Sequence, residues 1–356
     1  MDDGAKKEND FGTIAPDNLG DLGEVSKMRR RLTITGTDPM IDGGGDLEEL
    51  RKLSVDEGED KMEQNVLKGS CVVTKHHGVT KKGHAPYNPM KKNQDAMVIA
   101  VDPATDTIIL GVFDGHGEFG DRVSEYYERK LADALFCHAS WPTDVKLSSR
   151  EVILRLEQEI IYNPRINTNF SGTTLTMVII RGDHMTGVNI GDSRAVIGKV
   201  GPDGNLIAEE FTHDHKPDTP GEKERILAAG GRVFAVEYDD GIDGPPRVWL
   251  AEMDVPGLAM SRSIGDDIAH TAGVISEPEF TERTLDKDTD KFLIVATDGL
   301  WEFINNDESV QMVSNSDNLK SSVDTLVAEA NEKWMQEEQV IDDTTVIVAH
   351  LHNFRD

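Results

Sequence analysis

The stretch TIILGVF at 107–113, running straight into Asp114-Gly115-His116-Gly117, decides how this chain is read. Its length, lack of charge and Ile/Val content suit a strand buried in a sheet. An acid at the end of such a strand is held rigidly at the sheet rim. The pattern recurs where FLIVAT at 292–297 meets Asp298-Gly299, and Asp342 stands just before TTVIVAHL at 344–351. A fourth acid, Asp192, lies in NIGDSRAVI. Other Asp-Gly pairs, Asp203-Gly204 and Asp243-Gly244, read as turns.

Further runs predict strands at CVV 71–73, AMVIAV 96–101 and TLTMVII 174–180. Val123, Tyr127, Leu131 and Leu135 recur every four residues, and Ile153, Leu156 and Ile160 follow the same helical rule. A helix is predicted over 318–336, with Leu319, Val323, Leu326 and Ala330 on one face. Another runs over 221–229 and stops at Gly230-Gly231. Strands, two helices, more strands and a late helix predict packed sheets with helices outside. There is no internal repeat.

The chain has 356 residues, 37% hydrophobic, with a net charge of -29 and two cysteines. That size allows one large domain or two modest ones. The charge argues against nucleic-acid binding, which needs cations to neutralise phosphates. Cys71 and Cys137 are too few for a disulfide framework or a thiolate metal cluster. No run approaches the length of a membrane span. The opening MDDGAKKEND lacks the order of a secretory signal, and without Gly at position 2 it does not support myristoylation. A soluble protein of the cytoplasm, extending to the nucleus, is expected.

Residues 1–65 hold seventeen acidic and nine basic residues and no sustained apolar period, which predicts a disordered acidic tail. Within it, Arg29-Arg30-Arg31-Leu32-Thr33 and Arg51-Lys52-Leu53-Ser54 place cations before a hydroxyl. Phosphorylation at Thr33 or Ser54 would cancel those basic clusters and loosen their attraction to the acidic body.

Carboxylates that converge repel one another and raise their own pKa values, and a divalent cation relieves this. Oxygen ligands without His or Cys companions favour Mg²⁺, Mn²⁺ or Ca²⁺. Gly115 removes a side chain where a backbone carbonyl could reach such an ion. His116, two residues from Asp114, titrates near neutrality and suits protonation of a leaving alkoxide.

The ordered motifs KKNQD (91–95), VFDGHG (112–117), SGTTL (171–175), NIGDSR (189–194), THDHKP (212–217), ERILAAGGRV (224–233), LAMSRSIGD (258–266), GVISEPE (273–279), ATDGLWE (296–302) and DDTTVIV (342–348) resemble the metal-dependent protein phosphatases, type 2C. The resemblance spans roughly 70–351, and it implies an α+β fold. Two central, mainly antiparallel sheets would be flanked by helices as a four-layer α-β-β-α sandwich, in a catalytic domain at 66–356.

The same resemblance implies two Mg²⁺ or Mn²⁺ ions per site, bridged by Asp114, with the Gly115 carbonyl, Asp298 and Asp342 as ligands. Asp95 would hold metal-bound water, and Asp192 would help bind a third, weaker ion. The segment from about 213 to 257 corresponds to a variable flap. The implied activity is hydrolysis of phosphoserine and phosphothreonine in protein substrates, by a monomer, through a metal-bridged hydroxide. Asp114 and His116 would be catalytic. No phosphoenzyme is needed.

The chain departs from the family pattern at Gln94, where Glu is common, at Met90, where a phosphate-binding Arg would fall, and at Glu302, where Asp is usual. Lys91 or Lys92 would then supply the phosphate's counter-charge. The competing readings are a catalytically weak pseudophosphatase serving as a phosphoprotein-binding scaffold, supported by Gln94 and Met90, and a metal-dependent enzyme acting on a different phosphate ester.

Overall fold

The computed structural model describes residues 59–61, 71–238, 241–352 and 354. Most of the segment expected to be a tail, including Thr33 and Ser54, lies outside the described residues. Its Glu59–Lys61 (β1) forms a sheet-edge strand.

Eleven strands make the two main sheets. They are β1, Val73–Lys81 (β2), Ala96–Asp102 (β3), Thr107–Phe113 (β4), Leu175–Arg181 (β5), His184–Ile190 (β6), Arg194–Val200 (β7), Leu206–Glu210 (β8), Glu279–Thr284 (β9), Asp290–Ala296 (β10) and Thr344–Leu351 (β11). The first sheet runs β1-β2-β11-β10-β7-β8 and the second β9-β6-β5-β4-β3. Every pairing within them is antiparallel.

Side-chain alternation builds the layers. Along β4, Ile108, Leu110 and Val112 face the first sheet and join Ala195, Ile197, Leu293, Val295 and Ile347 in the central core. Ile109 and Phe113 face the other way, against Gly120–Phe136 (α1) and Val145–Ile161 (α2). The predicted stripe Val123, Tyr127, Leu131 and Leu135 is fully buried there. On the first sheet's outer face, Val196, Ile294, Val346 and Val348 pack on helices from the last third of the chain. The result is the expected four-layer α-β-β-α arrangement, with each core strand covered on both faces.

The remaining helices are Glu222–Ala228 (α3), Asp267–His270 (α4), Asp298–Trp301 (α5), Asn306–Asn315 (α6) and Leu319–Glu337 (α7). The Asn305 side chain caps α6 and the Asn318 side chain caps α7, each accepting from a first-turn N–H. α3 ends as expected: Ala229 caps it and Gly230 takes φ +89°. The flap is more than a loop. α3 is followed by a three-stranded antiparallel sheet, Arg232–Tyr238, Gly241–Trp249 and Pro256–Leu258, with Ile226, Val248 and Leu258 in a small core of its own. Among the described residues no helix is long and apolar enough to cross a membrane.

Candidate active site

Asp114 leaves β4 and Asp298 leaves β10, while Asp342 stands two residues before β11. β10 and β11 are neighbours, and their register is extended by the Thr297 N–H donating to the Thr345 carbonyl at 3.0 Å. Asp114 is pinned from the other sheet. Its N–H donates to Thr174 Oγ1 at 3.1 Å, and its carbonyl accepts the Thr174 N–H at 2.9 Å.

Gly115 is required by space. A Cβ there would lie 2.4 Å from the Gln94 carbonyl oxygen and 2.6 Å from that of Gly120, and backbone cannot swing away. Gly115→Ala should therefore destabilise the fold by about 1–3 kcal/mol. A thermal melt checks this, and an unchanged Tm would contradict it.

The 91–95 segment closes the site. Asp95 is buried, and its Oδ2 accepts the hydroxyls of Thr297 at 2.8 Å and Thr345 at 2.7 Å. Asp343, beside Asp342, accepts the N–H groups of Gly83 at 2.7 Å and Gln94 at 2.9 Å. Gln94 Nε2 donates to the Gly117 carbonyl at 2.6 Å. A Glu side chain in its ionised form could not make that bond, so the departure at Gln94 has a structural use: it braces the Asp114–Gly117 loop.

The carboxylates act on one another. Burial, then the charges of Asp298, Asp95 and Asp342, holds Asp114 well above the usual carboxylate range. Burial, then Asp192 and Asp342, pushes Asp298 up to about 8. Asp95 is raised by burial and by Asp343, against the pull of its two threonine hydroxyls. Asp342 is raised by burial, opposed by Lys91. Among the described residues no three acidic, thiol or imidazole groups stand close enough to make a ready-formed metal cage.

The donor set nonetheless suits a hard divalent cation. It consists of carboxylate oxygens whose charged forms are disfavoured, and the buried Asp192 Oδ1 has no hydrogen-bond partner. The residues that could hold such ions are Asp114, the Gly115 carbonyl, Asp298 and Asp342, with Asp95 and Asp192 beside them.

Asp192 Oδ2 is paired with Lys216 Nζ at 2.5 Å. Burial alone would raise Asp192, but Lys216 outweighs it and the net direction is down. Lys91 reaches Asp343 at 2.5 Å and Asp342 at 3.7 Å, so its charge faces the acids. Lys92 points outward to Asp121 at 2.6 Å, with 65% of its side chain exposed. The structure thus separates two lysines that the sequence treats alike. Met90 is 85% exposed.

His116 lies in a short strand, Gly115–His116, paired with Gly172–Thr173, which in turn pairs with Ile264–Gly265. That small sheet delivers Asp266. Its Oδ2 lies 2.5 Å from His116 Nε2 and accepts the Ser263 hydroxyl at 2.6 Å. Asp266 takes a left-handed φ of 51°, a conformation uncommon outside Gly. Burial alone would lower His116, yet the Asp266 charge holds it above its ordinary value. His116 Nδ1 is buried without a partner.

Asp266, Asp343 and Lys216 therefore belong beside the expected residues, although sequence reasoning assigned them no role. All three sat inside the quoted motifs. The missing signal was the spatial partner, 150 residues away for the pair His116–Asp266.

The family model described as protein phosphatase 2C matches residues 74–344. Probable protein phosphatase 2C 72 of Arabidopsis thaliana is 37% identical over 284 residues, covering 73% of this chain and 82% of that protein. Probable protein phosphatase 2C 64 of Oryza sativa subsp. japonica is 36% identical over 270 residues, covering 73% and 62%. A serine-threonine phosphatase 2C from Toxoplasma gondii superposes with a TM-score of 0.69 at 20% identity, over 83% of this chain and 100% of that one, a likeness of fold.

Proposed function

The chain belongs to the protein phosphatase 2C family of serine/threonine phosphatases, and we propose that it hydrolyses phosphoserine and phosphothreonine in proteins at the Asp114–Asp298–Asp342 site. The observation that carries this reading is the gathering of Asp114, Asp298 and Asp342 at the ends of β4, β10 and β11, where burial and neighbouring carboxylates disfavour their charged forms. Asp114, the Gly115 carbonyl, Asp298 and Asp342 would hold the ions, with Asp192 near a weaker third. Two Mg²⁺ or Mn²⁺ ions bound there would lower the pKa of a shared water and offset charge on the phosphoryl oxygens. Asp95, its Oδ2 fixed by Thr297 and Thr345, would use its other carboxylate oxygen to hold metal-bound water. His116, steadied by Asp266, gives a proton to the leaving serine or threonine oxygen. Lys91 reduces the negative charge that a phosphate dianion would meet at Asp342 and Asp343. We assign the catalytic domain to residues 66–356.

Phosphopeptide hydrolysis in Mn²⁺ or Mg²⁺ should be abolished by EDTA and restored by excess Mn²⁺. Ions held by so few protein ligands should need concentrations toward the millimolar range. Turnover that survives EDTA would overturn the reading.

A further inference from the structure

Two open cavities lie end to end on one side of the catalytic site. The inner one, of about 380 Å³, is lined by Arg194, Trp301, Glu302 and Lys333 among others. Arg194 follows Asp192 by two residues, and Trp301 is one helical turn from Asp298. The outer one, of about 840 Å³, lies between α6 and α7 and carries Asp307, Met312 and Asp317. Asn305 and Glu308 line both, so the two form one groove, and its inner end includes Arg194, the sheet partner of Ala296 two residues before Asp298.

The groove's charges are unequally committed. Arg194 is held by Asp214 at 2.7 and 2.8 Å and by Asn306 at 2.7 Å, over the Trp301 ring. Lys333 is held by the Phe303 carbonyl at 3.0 Å and by Glu308 at 3.1 Å. Both cations of the lining are therefore spent. Asp317 has no hydrogen-bond or ion-pair partner among the described residues, and Asp307 accepts only the Ala208 N–H, at 3.2 Å. A cationic chain laid along the groove would meet the unpaired Asp317 carboxylate, the Asp307 carboxylate and the Met312 thioether, and would displace no existing cation.

We propose that this groove binds a basic segment of the phosphoprotein substrate, extended away from its phosphoresidue. The proposal rests on the phosphatase reading and names the substrate class for the same site. α6 spans ten residues, about 15 Å at ~1.5 Å per residue, which is roughly four to five residues of extended peptide. A cation beside Asp317, beyond the far end of α6, therefore sits about four to five residues farther along the peptide than one beside Asp307 in its first turn.

The test compares a phosphothreonine peptide carrying Arg-Arg four to eight residues away with its Ala-Ala counterpart. An aryl phosphate, too small to reach the groove, serves as the control. The Arg peptide should have a kcat/KM about three- to tenfold higher. Asp317→Lys, whose side chain has no partner to lose, and Asp307→Lys/Asp317→Lys should erase that preference and leave aryl phosphate turnover unchanged. The preference should also fall with salt, since exposed charges are screened beyond about 8 Å at physiological ionic strength.

Binding of a dye-labelled, unphosphorylated Arg-rich peptide to the full chain, read by anisotropy, needs no catalysis. It separates failure of the groove from failure of the phosphatase reading. Equal kcat/KM for the two peptides, or peptide binding indifferent to Asp317→Lys, would overturn the proposal. So would a rise in the Arg peptide's kcat/KM when Arg29, Arg30 and Arg31 are changed to Glu, because the groove's occupant would then be the chain's own basic segment.

Discussion

Asp298→Asn is expected to cut phosphopeptide turnover by at least about 10²-fold, while the metal-free variant melts above the wild type at pH 8. The two effects share one cause. Asp298 is pushed up to about 8 by burial and by the charges of Asp192 and Asp342. An acid whose folded-state value exceeds its unfolded one binds more protons folded than unfolded between the two. Its contribution to stability is greatest below the unfolded value of about 4 and falls as pH climbs toward 8. Asn keeps the shape and carries no charge, so the loss of metal-free stability across that window should flatten in the variant.

Divalent cation should reverse the order. Saturating Mn²⁺ would raise the wild-type Tm by mass action, and the variant's by much less. Melting curves at several pH values, with and without Mn²⁺, check both statements. A wild-type pH slope in the variant would show that Asp298 is not electrostatically strained. Normal turnover at non-saturating metal would remove it from the ligand set.

The legible parts of this molecule are those where one chemical signal dominates. TIILGVF and TTVIVAHL are strands at the predicted bounds, because uncharged β-branched runs buried on both faces have no other use. β2 extends well past the predicted CVV, through VTKHHGVTK. His76 and His77 are buried there, and polar residues inside a sheet hide the strand from a hydrophobicity reading. β6 was not anticipated either. Its Gly187 lies where a Cβ would come 2.8 Å from the Phe211 ring, so packing in space fixes the residue.

The site divides the same way. Acids that terminate strands can be found from sequence because the strands can be found. Asp266 and Lys216 act through partners distant in the chain, and only the fold pairs them. Lys91 and Lys92 are adjacent and chemically identical, yet one turns to Asp343 and the other to Asp121.

His116→Ala should lower kcat on a phosphoserine peptide by about 10²-fold or more, and on an aryl phosphate by much less. Serine alkoxide is a strongly basic leaving group and needs a proton as it departs, whereas an activated phenolate leaves without one. His116 is suited to supply it. Asp266 anchors Nε2 at 2.5 Å, which leaves Nδ1 as the ring nitrogen without a partner.

Asp266→Asn keeps the shape of the anchor and removes its charge. The Asp266 charge is the largest influence raising His116 against burial, so without it the imidazole should lose its proton at lower pH. The alkaline limb of the phosphoserine pH profile should then move downward, while the aryl phosphate profile moves little. Equal losses on the two substrates for His116→Ala would mean that the ring only supports the neighbouring acids. An unmoved alkaline limb in Asp266→Asn would mean that the carboxylate fixes the loop and not the proton.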